Sequence, residues 1–364
     1  MFFPSGKTQM KPGRCAPKGQ NMKSTVNFGV IGCGVISHFH IQAINAIEGA
    51  KLYGVYDHIY EFAKKIASEQ HVKAYQTLEE MLADPELDAV CICTPSGLHA
   101  KQAVEAAKAG KHVLIEKPIA LSLEDCDAIS AEAEKSGVKV AVVSQLRFSP
   151  AMQKVKRAIN EGRLGKIVSA DIYMKYYRSQ EYYDKNEWRG TIAMDGGGAL
   201  MNQGIHGVDL LQYAMGPVKS ITALSAALVR KIEVEDTLNA IVEFENGAFG
   251  VIQAMTSAYP GFPRRLEING EHGCIVMEED TIVKWDVEGE ESAEEGKLDD
   301  SVKSFSDPSK IGTEGHILQI SNFIDAIHDK ADLLVDDKEG RKALEIILNA
   351  YRSSEEKKTV YFKK

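Results

Sequence analysis

The chain has 364 residues, of which 44% are hydrophobic and 26% are charged, and its formal net charge is −9. This composition is typical of a globular protein, and the length suffices for about two domains with cores of their own. The acidic balance and the lack of a basic run argue against a nucleic-acid partner. No apolar stretch is long enough to span a bilayer, so we expect no membrane partner either.

The cysteines lack the paired spacing of metal sites, and four of the six fall in or beside predicted apolar strands or helices. Such thiols stay free in a reducing compartment, so we expect a cytoplasmic protein without a metal. The six are Cys15, Cys33, Cys91, Cys93, Cys126 and Cys274.

Residues 1–24 differ from the rest of the chain. They contain five basic residues, three prolines and no acidic residue, and they lack the apolar region of an export signal. Met22 could serve as an alternative start. We predict that this segment is a disordered extension and leave it out of the fold prediction.

Residues 25–147 alternate short apolar runs with stretches of helical periodicity. Because parallel strands need crossover connections, this alternation predicts an α/β domain with a doubly wound parallel sheet. The predicted strands are Val26–Ile31, Lys51–Tyr56, Ala89–Cys93, Val113–Ile115 and Val138–Val143. The predicted helices are Ser37–Ile47, Ile59–Glu69, Leu98–Ala109 and Leu123–Lys135.

Residues 148–364 change to successive strand-like runs, which predict an α+β domain with a large, mostly antiparallel open sheet. Glu245-Asn246-Gly247 is typical of a tight hairpin. The predicted strands are Lys166–Tyr177, Val218–Leu228, Thr237–Glu245, Ala248–Met255, Arg265–Ile268, Cys274–Met277 and Thr281–Trp285. The predicted helices are Ala151–Asn160, Ala199–Met215, His316–His328 and Lys338–Ser353, the last two able to pack back on the first domain. The acidic segment Gly289–Gly312 is predicted to be a surface excursion.

A glycine-rich turn, Gly32-Cys33-Gly34-Val35-Ile36-Ser37, follows the first strand and opens a helix. Its two glycines permit a tight turn and let backbone N–H groups, among them those of Val35 and Ile36, approach a pyrophosphate. Ser37 stands at the third glycine position as another small residue. With Asp57 about twenty residues on, at the end of the second strand, this context predicts a dinucleotide site.

Asp57 is predicted to accept hydrogen bonds from the adenosine ribose hydroxyls. A carboxylate there repels a 2′-phosphate and no arginine follows it closely, so NAD is favoured over NADP. Asp57 could also cap the helix that starts at His58, and both roles can coexist. Thr94, Pro95 and His99 follow the next long strand at the ligand-binding edge, although His99 could equally be a surface residue of a first helical turn.

Glu116-Lys117-Pro118 ends the apolar strand around Val113–Ile115 on the same edge. Lysine is rarely buried without a partner, so Lys117 is either a solvated strand-end residue or a functional one. Partial burial beside a cationic ring would lower its pKa toward ~7–8, which suits a general base. We therefore predict that Lys117 faces the nicotinamide and that Glu116 lies beside the cofactor.

Three glycines, Gly196 to Gly198, precede a predicted helix that carries Asn202, His206 and Asp209. Spacings of four and three place these side chains on one helical face. A lone helical histidine is more often structural. The polar neighbours and the flanking glycines favour a catalytic His206.

Together these motifs resemble the Gfo/Idh/MocA oxidoreductase family, from Val26 to the C-terminus. The resemblance implies an N-terminal Rossmann domain and a C-terminal open sheet that often makes dimer or tetramer contacts, so a homodimer or homotetramer is expected. It also implies that Lys117 and His206 serve an alcohol that NAD(P) oxidises. The motifs are Gly32-x-Gly34, Thr94-Pro95, Glu116-Lys117-Pro118 and Gly197-Gly198…His206-x-x-Asp209.

One position departs from the family's pattern. Many members carry an aspartate four residues before the histidine, where this chain has Asn202. An amide can orient a hydroxyl or the lysine, but it cannot hold a proton. The base is therefore Lys117 or His206, and the sequence leaves that choice open.

A polar aromatic loop indicates which subgroup of the family the chain resembles. Segments Tyr176–Tyr183, Trp188–Thr191 and Gly198–Gln203 are similar to bacterial UDP-N-acetylglucosaminuronate 3-dehydrogenases, which implies oxidation of a sugar C3 hydroxyl. The arginines could clamp a carboxylate or diphosphate and the tyrosines could stack on sugar faces, or both could form an oligomer interface. The predicted substrate-binding residues are Lys117, Arg178, Tyr182, Trp188, Arg189, Asn202, Gln203 and His206.

Three other functions stay open at this point. An inositol or aldose dehydrogenase would use the same residues on a different secondary alcohol. An NAD-dependent glycoside hydrolase would oxidise C3 transiently to eliminate a glycoside. A non-catalytic NAD-sensing module would not need the intact Lys117 and His206.

Overall fold

The computed structural model describes residues 25–185, 187–291 and 312–363. The predicted extension at residues 1–24 and most of the predicted surface excursion, residues 292–311, lie outside the described residues.

The first sheet has six parallel strands in the order β3-β2-β1-β4-β5-β6. This order reverses direction between β1 and β4, which is the arrangement of a doubly wound nucleotide-binding sheet, and it confirms the predicted fold class. The strands are β1 Val26–Ile31, β2 Ala50–Tyr56, β3 Lys73–Tyr75, β4 Ala89–Ile92, β5 His112–Ile115 and β6 Val140–Val142.

Helices cover both faces of this sheet. Ser122 accepts a hydrogen bond from the backbone N–H of Asp125 and so caps the start of a helix, and Gly49, Gly110 and Gly137 have positive φ where helices end. The helices are α1 Val35–Ala46, α2 Tyr60–Gln70, α3 Leu78–Ala83, α4 His99–Lys108 and α5 Leu123–Ser136. The three-residue β3 and the six-residue α3 were not predicted, because elements that short show too little periodicity.

The second sheet has eight strands in the order β13-β12-β11-β7-β10-β9-β8-β14. All neighbours are antiparallel except β7 and β10, which confirms the prediction of a mostly antiparallel open sheet. The strands are β7 Ile167–Lys175, β8 Val218–Ala226, β9 Thr237–Phe244, β10 Phe249–Met255, β11 Arg265–Gly270, β12 Gly273–Glu278, β13 Thr281–Val287 and β14 Val360–Tyr361.

The remaining helices follow the first sheet in the chain. The predicted helix over 199–215 is in fact a π-helical segment, Ala199–Gly204, followed by an α-helix that starts at Ile205. A π-helical segment often marks a functional site. The helices are α6 Pro150–Asn160, α7 Gln180–Asp184, α8 Ile192–Asp195, α9 Ile205–Met215, α10 Glu314–Ile327 and α11 Asp337–Glu356.

The last two helices return to the first sheet. Phe323 of α10 is buried against Phe28 of β1, with ring centroids 6.3 Å apart, in the core between the first sheet and α1 and α2. Helix α11 contacts α5 and β6 as well as β8 and α9. The domain boundary near residue 147 stays a prediction. On the face of the first sheet away from α1 and α2, one cluster of buried apolar residues continues into the second sheet, so the core does not divide at that residue. Within the described part of the chain, we find no helix with the length and apolar character that a membrane span requires.

Candidate active site

A cavity of about 450 Å³ lies at the carboxyl ends of β1, β4 and β5, and the π-helical segment closes its other side. Nearly all of the residues predicted for the site line this one cavity. Only Gly32 and Asp57 of the predicted set do not line it. Those that do are Gly34, Val35, Ile36, Thr94, Pro95, His99, Glu116, Lys117, Arg178, Tyr182, Trp188, Arg189, Asn202, Gln203 and His206.

The glycine-rich turn presents bare backbone to the cavity. Gly32 has φ +94°, and a Cβ there would meet the Cys93 carbonyl oxygen at 2.8 Å, so this position requires glycine. A Cβ on Gly34 would meet nothing within 4 Å, which leaves the space above the turn open to a ligand. No side chain caps the start of α1 at Gly34, so the N–H groups of Val35 and Ile36 are suited to bind an anion.

Asp57 holds this turn in place from the end of β2. One carboxylate oxygen accepts from the backbone N–H of Cys33 at 2.8 Å and the other from Ile59 at 2.8 Å. The predicted capping alternative is thus partly realised, since Asp57 binds a backbone N–H just before α2, which starts at Tyr60. Carboxylate oxygens have further lone pairs, so Asp57 can still accept from ribose hydroxyls.

His99 is buried, which excludes the predicted alternative of a surface residue. Its Nδ1 lies 2.7 Å from the Pro118 carbonyl oxygen and its Nε2 lies 2.8 Å from that of Thr94. Burial lowers the pKa of His99, and these two backbone contacts oppose the shift. The ring therefore joins the loops that follow β4 and β5, and its nitrogens are engaged within the protein.

Glu116 lines the cavity, but its carboxylate is held from behind by histidines. His40 Nε2 lies 2.8 Å from Glu116 Oε1, and His316 Nε2 lies 3.9 Å from the same oxygen. Burial opposes ionisation of both partners. The hydrogen bond and charge of His40 nevertheless lower the pKa of Glu116 to about 2, and contacts with Cys93, Cys91 and Glu116 raise that of His40 well above its ordinary value. The three side chains could together hold a metal ion, but the His40–Glu116 ion pair already occupies the carboxylate, and the absence of a metal stays a prediction.

Lys117 projects from the end of β5 across the cavity. Its Nζ donates a hydrogen bond to the main-chain oxygen of Asn202 at 3.0 Å. Burial lowers the pKa of Lys117, while the charges of Glu116 and Asp195 oppose the shift and Arg178 adds to it. An amine with a lowered pKa that is anchored by one hydrogen bond can accept a proton from a bound hydroxyl.

His206 lies on the first turn of α9 and also lines the cavity. Burial first, and then the charge of Lys117, lower its pKa to about 3, so the imidazole is neutral around pH 7. Asp209 does not join it, contrary to the predicted common face. Both Asp209 oxygens accept from Arg147, at 2.8 and 2.7 Å, in a buried ion pair away from the cavity.

The amide at position 202 is held by a carboxylate, Asp195, that was not predicted to belong to the site. Asn202 Nδ2 donates to Asp195 at the end of α8, and Asp195 also accepts from the backbone N–H of Gly190 at 2.6 Å. Asn202 Oδ1 accepts from Gln203 Nε2 at 2.7 Å. Asn202 thus faces the cavity with its own main-chain oxygen bound to Lys117.

Arginines and aromatic rings form the wall opposite the glycine-rich turn. The Arg189 guanidinium stacks on Tyr182 at 4.1 Å from the ring centroid and lies 5.4 Å from that of Trp188. Arg178 donates to Gln203 and to the Tyr177 carbonyl oxygen. Among the described residues no carboxylate lies within ion-pair distance of Arg189, so this cation is available to an anionic ligand.

A third arginine, Arg264, also lines the cavity and was not predicted. It is buried and pairs with Glu279 at 3.4 Å and with Asp280 at 3.2 Å. No motif marks Arg264 in the sequence, since it precedes β11 and only the fold brings it to the site. Phe39 and Gln145 of the cavity wall were missed for the same reason.

The start of the π-helical segment rests on a buried carboxylate. Glu235 accepts from the backbone N–H groups of Gly198 and Leu200, each at 2.8 Å, and from the Tyr351 hydroxyl of α11 at 2.8 Å. The same hydroxyl accepts from the backbone N–H of Met201 at 3.2 Å. A Cβ on Gly198 would overlap the Glu235 carbonyl oxygen, so glycine is required here.

Two family models match the chain, one in each half. Residues 26–144 match the model described as "Oxidoreductase family, NAD-binding Rossmann fold", and residues 152–276 match the "GFO/IDH/MocA C-terminal domain". The first match confirms the predicted NAD-binding Rossmann fold, and the pair confirms the family that the motifs resemble.

Individual relatives cover most of the chain. The uncharacterized oxidoreductase YrbE of Bacillus subtilis is 33% identical over 71% of this chain and 75% of its own. The myo-inositol 2-dehydrogenase of Thermotoga maritima is 29% identical over 92% of this chain and 98% of its own. Among solved structures, the WlbA dehydrogenase of Bordetella pertussis, in complex with NADH and UDP-GlcNAcA, is 33% identical with a TM-score of 0.83, over 93% of this chain and 98% of that one.

Proposed function

The chain belongs to the Gfo/Idh/MocA oxidoreductase family, and from this premise we propose that it oxidises a secondary hydroxyl of a nucleotide-linked sugar acid, at C3 of a UDP-N-acetylhexosaminuronate. One observation carries the proposal. Arg178 and Arg189 line the same cavity as Lys117 and His206. Within the described part of the chain, Arg189 has no carboxylate at ion-pair distance, whereas Arg264 is already paired with Glu279 and Asp280. A cavity of this kind suits a sugar whose carboxylate and diphosphate both need cationic partners.

The similarity to WlbA supports the same substrate class. That protein was crystallised with NADH and UDP-GlcNAcA, and the likeness extends over nearly the whole of both chains. The myo-inositol 2-dehydrogenase from Thermotoga maritima is of comparable coverage but lower identity. An inositol has no charge, so it would leave the Arg189 guanidinium without a counter-ion.

The cofactor site fits NAD by the chemistry of its residues. The N–H groups of Val35 and Ile36 would bind the pyrophosphate, and Asp57 would accept from the adenosine ribose. When bound, NAD supplies the acceptor for the hydride that leaves the sugar carbon. Thr94 and Pro95 would then border the cofactor at the end of β4.

Two groups can take the proton of the sugar hydroxyl, and the electrostatics favour Lys117. Both are unprotonated for part of the accessible pH range, but His206, with a pKa of about 3, is a weak base. Burial lowers the pKa of Lys117, while the charges of Glu116 and Asp195 favour the protonated amine. We assign proton removal to Lys117 and hydrogen bonding of the same hydroxyl to His206.

The assembly proposal rests on the outer face of the second sheet. Large apolar side chains are exposed there, and Ile241 of β9 lies opposite Val251 of β10 and Thr222 of β8. Exposed apolar area of this kind is typical of an interface, and we propose that two copies of the chain pair through it. The exposed apolar residues of these strands are Leu224, Ile241 and Phe249.

A cytoplasmic location also remains a proposal. Its support is that Cys33, Cys91, Cys93, Cys126 and Cys274 are all free thiols.

A substrate panel tests the proposed function. Purified protein and NAD are mixed with UDP-N-acetylglucosaminuronate, and NADH is followed by its absorbance. UDP-N-acetylglucosamine is the matched control, because it lacks only the carboxylate. We expect NADH from the uronate and at least ~10-fold lower kcat/KM with the control, the effect of losing one charged hydrogen-bonded pair.

The same panel separates the other functions. Turnover of myo-inositol or a free aldose, with none of the uronate, would replace this proposal by a neutral-polyol dehydrogenase. Release of a chromogenic aglycone from glycosides would indicate a hydrolase. If NADH copurifies, a single-turnover experiment is performed first, so that slow cofactor exchange is not mistaken for inactivity.

A further inference from the structure

Four side chains form one directed hydrogen-bond chain beside the site. The Arg178 guanidinium donates to Gln203 Oε1 at 3.2 and 2.9 Å, Gln203 Nε2 donates to Asn202 Oδ1 at 2.7 Å, and Asn202 Nδ2 donates to the Asp195 carboxylate. Every donor in this chain points from the cation toward the anion. Successive bonds of one direction polarise and strengthen one another.

The charged ends determine how both amides are oriented. A guanidinium only donates hydrogen bonds and an ionised carboxylate only accepts them. If Asn202 were reversed, its oxygen would face the Asp195 carboxylate, and the two acceptors would repel. If Gln203 were reversed, its NH₂ would face the Arg178 guanidinium. The orientation of each amide is therefore fixed by Asp195 at one end and Arg178 at the other.

Asp195 itself is out of reach of substrate. Its side chain is buried, and it does not line the cavity. Its second oxygen accepts from the backbone N–H of Gly190, which fixes the carboxylate from the other side. Burial raises the pKa of Asp195, and the hydrogen bonds from Gly190 and Asn202 oppose that shift. A group placed in this way can act on the reaction only through its neighbours.

The neighbour that matters is Lys117. Its amine is bound to the main-chain oxygen of Asn202, the residue whose side chain Asp195 holds. Asp195 is also one of the two carboxylates that favour the charged form of Lys117. A displacement of Asn202 would thus move the amine and change its electrostatic surroundings together.

We propose that Asp195 is the positioning carboxylate of this site, which fixes the Asn202–Gln203 amides and, through the Asn202 carbonyl, the amine of Lys117. The proposal rests on the dehydrogenase function proposed above. It explains how a site with an amide at position 202 still has a carboxylate that acts on Lys117.

The variant Asp195→Asn removes the charge and keeps the shape. Its oxygen can still accept from Gly190, but its NH₂ then faces the NH₂ of Asn202. If Asn202 reverses, its NH₂ no longer faces that of position 195 but faces the NH₂ of Gln203 instead. If Gln203 then reverses as well, its NH₂ faces the Arg178 guanidinium. Two donors must face each other somewhere in the chain, so no rearrangement of amides repairs this variant.

The double variant Asp195→Asn with Asn202→Asp repairs it. The oxygen of the new amide accepts from Gly190, its NH₂ donates to the new carboxylate, and that carboxylate accepts from Gln203. The single variant Asn202→Asp instead places two carboxylates in contact, which must share a proton or repel. Rescue of turnover by the double variant therefore distinguishes a positioning role from a general loss of packing.

Turnover on UDP-N-acetylglucosaminuronate is the first measurement. We expect Asp195→Asn to lower kcat by roughly 10- to 100-fold, as for a misplaced catalytic group, with the KM for NAD changed by less than about threefold. The double variant should regain most of that loss. Equal losses in Asp195→Asn and the double variant, or an unchanged kcat in Asp195→Asn, would overturn the proposal.

The second measurement does not need a substrate. Trace acetylation of Lys117 is followed by mass spectrometry as a function of pH, which reports the midpoint of its titration. Loss of the Asp195 charge should move the midpoint of Asp195→Asn to lower pH by ~0.5 unit or more, and the double variant should move it back. An unmoved midpoint in Asp195→Asn would contradict the proposal. The other groups that face Lys117 stay in place in these variants: Glu116, Arg178, His99 and His206.

Asp236→Asn is the matched control. Asp236 is also fully buried and accepts from backbone N–H groups, those of Leu228, Val229 and Arg230, and it does not line the cavity. It should lower the melting temperature without moving the Lys117 midpoint. If wild-type protein oxidises none of the sugars, the proposed function fails, and the acetylation midpoints still decide the role of Asp195.

Discussion

Lys117 is bound by the main chain of Asn202, since its Nζ donates to the Asn202 carbonyl oxygen at 3.0 Å. An asparagine or an aspartate at this position offers the same carbonyl oxygen. The departure from the family's aspartate therefore leaves this contact intact and changes only what the side chain does. The lysine keeps its position, and its role as the base can be tested directly.

Replacing Lys117 by methionine removes the amine and keeps most of the apolar stem. We expect kcat to fall by roughly 10²- to 10⁴-fold, the usual contribution of general acid–base catalysis. NADH binding, measured by fluorescence titration, should persist because the glycine-rich turn and Asp57 are untouched. A variant that kept near-native turnover would show that another group takes the proton.

The pH dependence should separate the two candidate bases. Proton removal needs the unprotonated amine, so kcat/KM for oxidation should rise with pH through the lowered pKa of Lys117, in a range below that of a free lysine amine. His206, with a pKa of about 3, is already neutral over that range, so its titration should not change kcat/KM there. The residual activity of Lys117→Met should lose the rise, and His206→Asn should keep it. The reverse result would make His206 the base.

Arg189 should determine preference for the sugar acid. Replacing it by methionine removes a cation that has no carboxylate partner among the described side chains and keeps contact with Tyr182. We expect the KM for UDP-N-acetylglucosaminuronate to rise by about 10- to 100-fold, with a small change for the sugar that lacks the carboxylate. Arg189→Lys is the control, since it keeps the charge and loses the planar fork. Equal effects on both sugars would assign Arg189 to the diphosphate or to packing.

Asp57 should determine the cofactor preference. Asp57→Asn keeps a side-chain oxygen for one of the two backbone N–H groups at Cys33 and Ile59 but removes the charge. We expect kcat/KM for NAD to fall by about 10-fold and the preference for NAD over NADP to shrink. Thermal unfolding tests the structural role of Asp57 separately. If the variant only loses a hydrogen bond to the turn, its melting temperature falls but the ratio of kcat/KM for NAD to that for NADP does not change. An unchanged NAD/NADP ratio would leave Asp57 with a structural role alone.

The outer face of the second sheet should carry the contact between subunits. Ile241→Asp places a charge among Val251, Thr222 and the exposed Leu224, so burial of that face in an interface becomes unfavourable. Light scattering should show a wild-type dimer or larger assembly that separates in the variant. Phe62→Asp, at an exposed position of α2, adds the same carboxylate to the first domain, away from the second sheet. A wild-type monomer would refute the predicted assembly.

The fold was predictable because its evidence is local in the sequence. Apolar runs separated by helical periodicity specified five of the six strands of the parallel sheet, and only the three-residue Lys73–Tyr75 was missed. The glycine-rich turn was recognisable because positive φ at Gly32 requires that residue type. The antiparallel sheet followed from strand-like runs and one hairpin signal. The π-helical turns at Ala199–Gly204 could not be seen, because they depend on tertiary contacts at Glu235 and Tyr351.

The site was predictable where a motif carried it and not elsewhere. The residues on the strand ends meet because parallel strands end at one edge, so Thr94 and Lys117 were placed from their positions alone. Asp195 and Arg264 carry no motif, and only the packing of distant elements brings them close. The predicted common face of Asp209 with His206 is wrong, because helical spacing gives a side chain's direction and not the partner, here Arg147, that it contacts.

The hydroxyl of Tyr351 that holds the π-helical segment has a consequence for biosynthesis. It lies 150 residues after Met201, whose backbone it binds. A ribosome therefore adds Lys117 and His206 to the chain long before it adds Tyr351, whose hydroxyl supports the π-helical segment next to His206. The nascent protein can form its nucleotide-binding sheet early, but its reactive geometry becomes complete only after α11 has been synthesised.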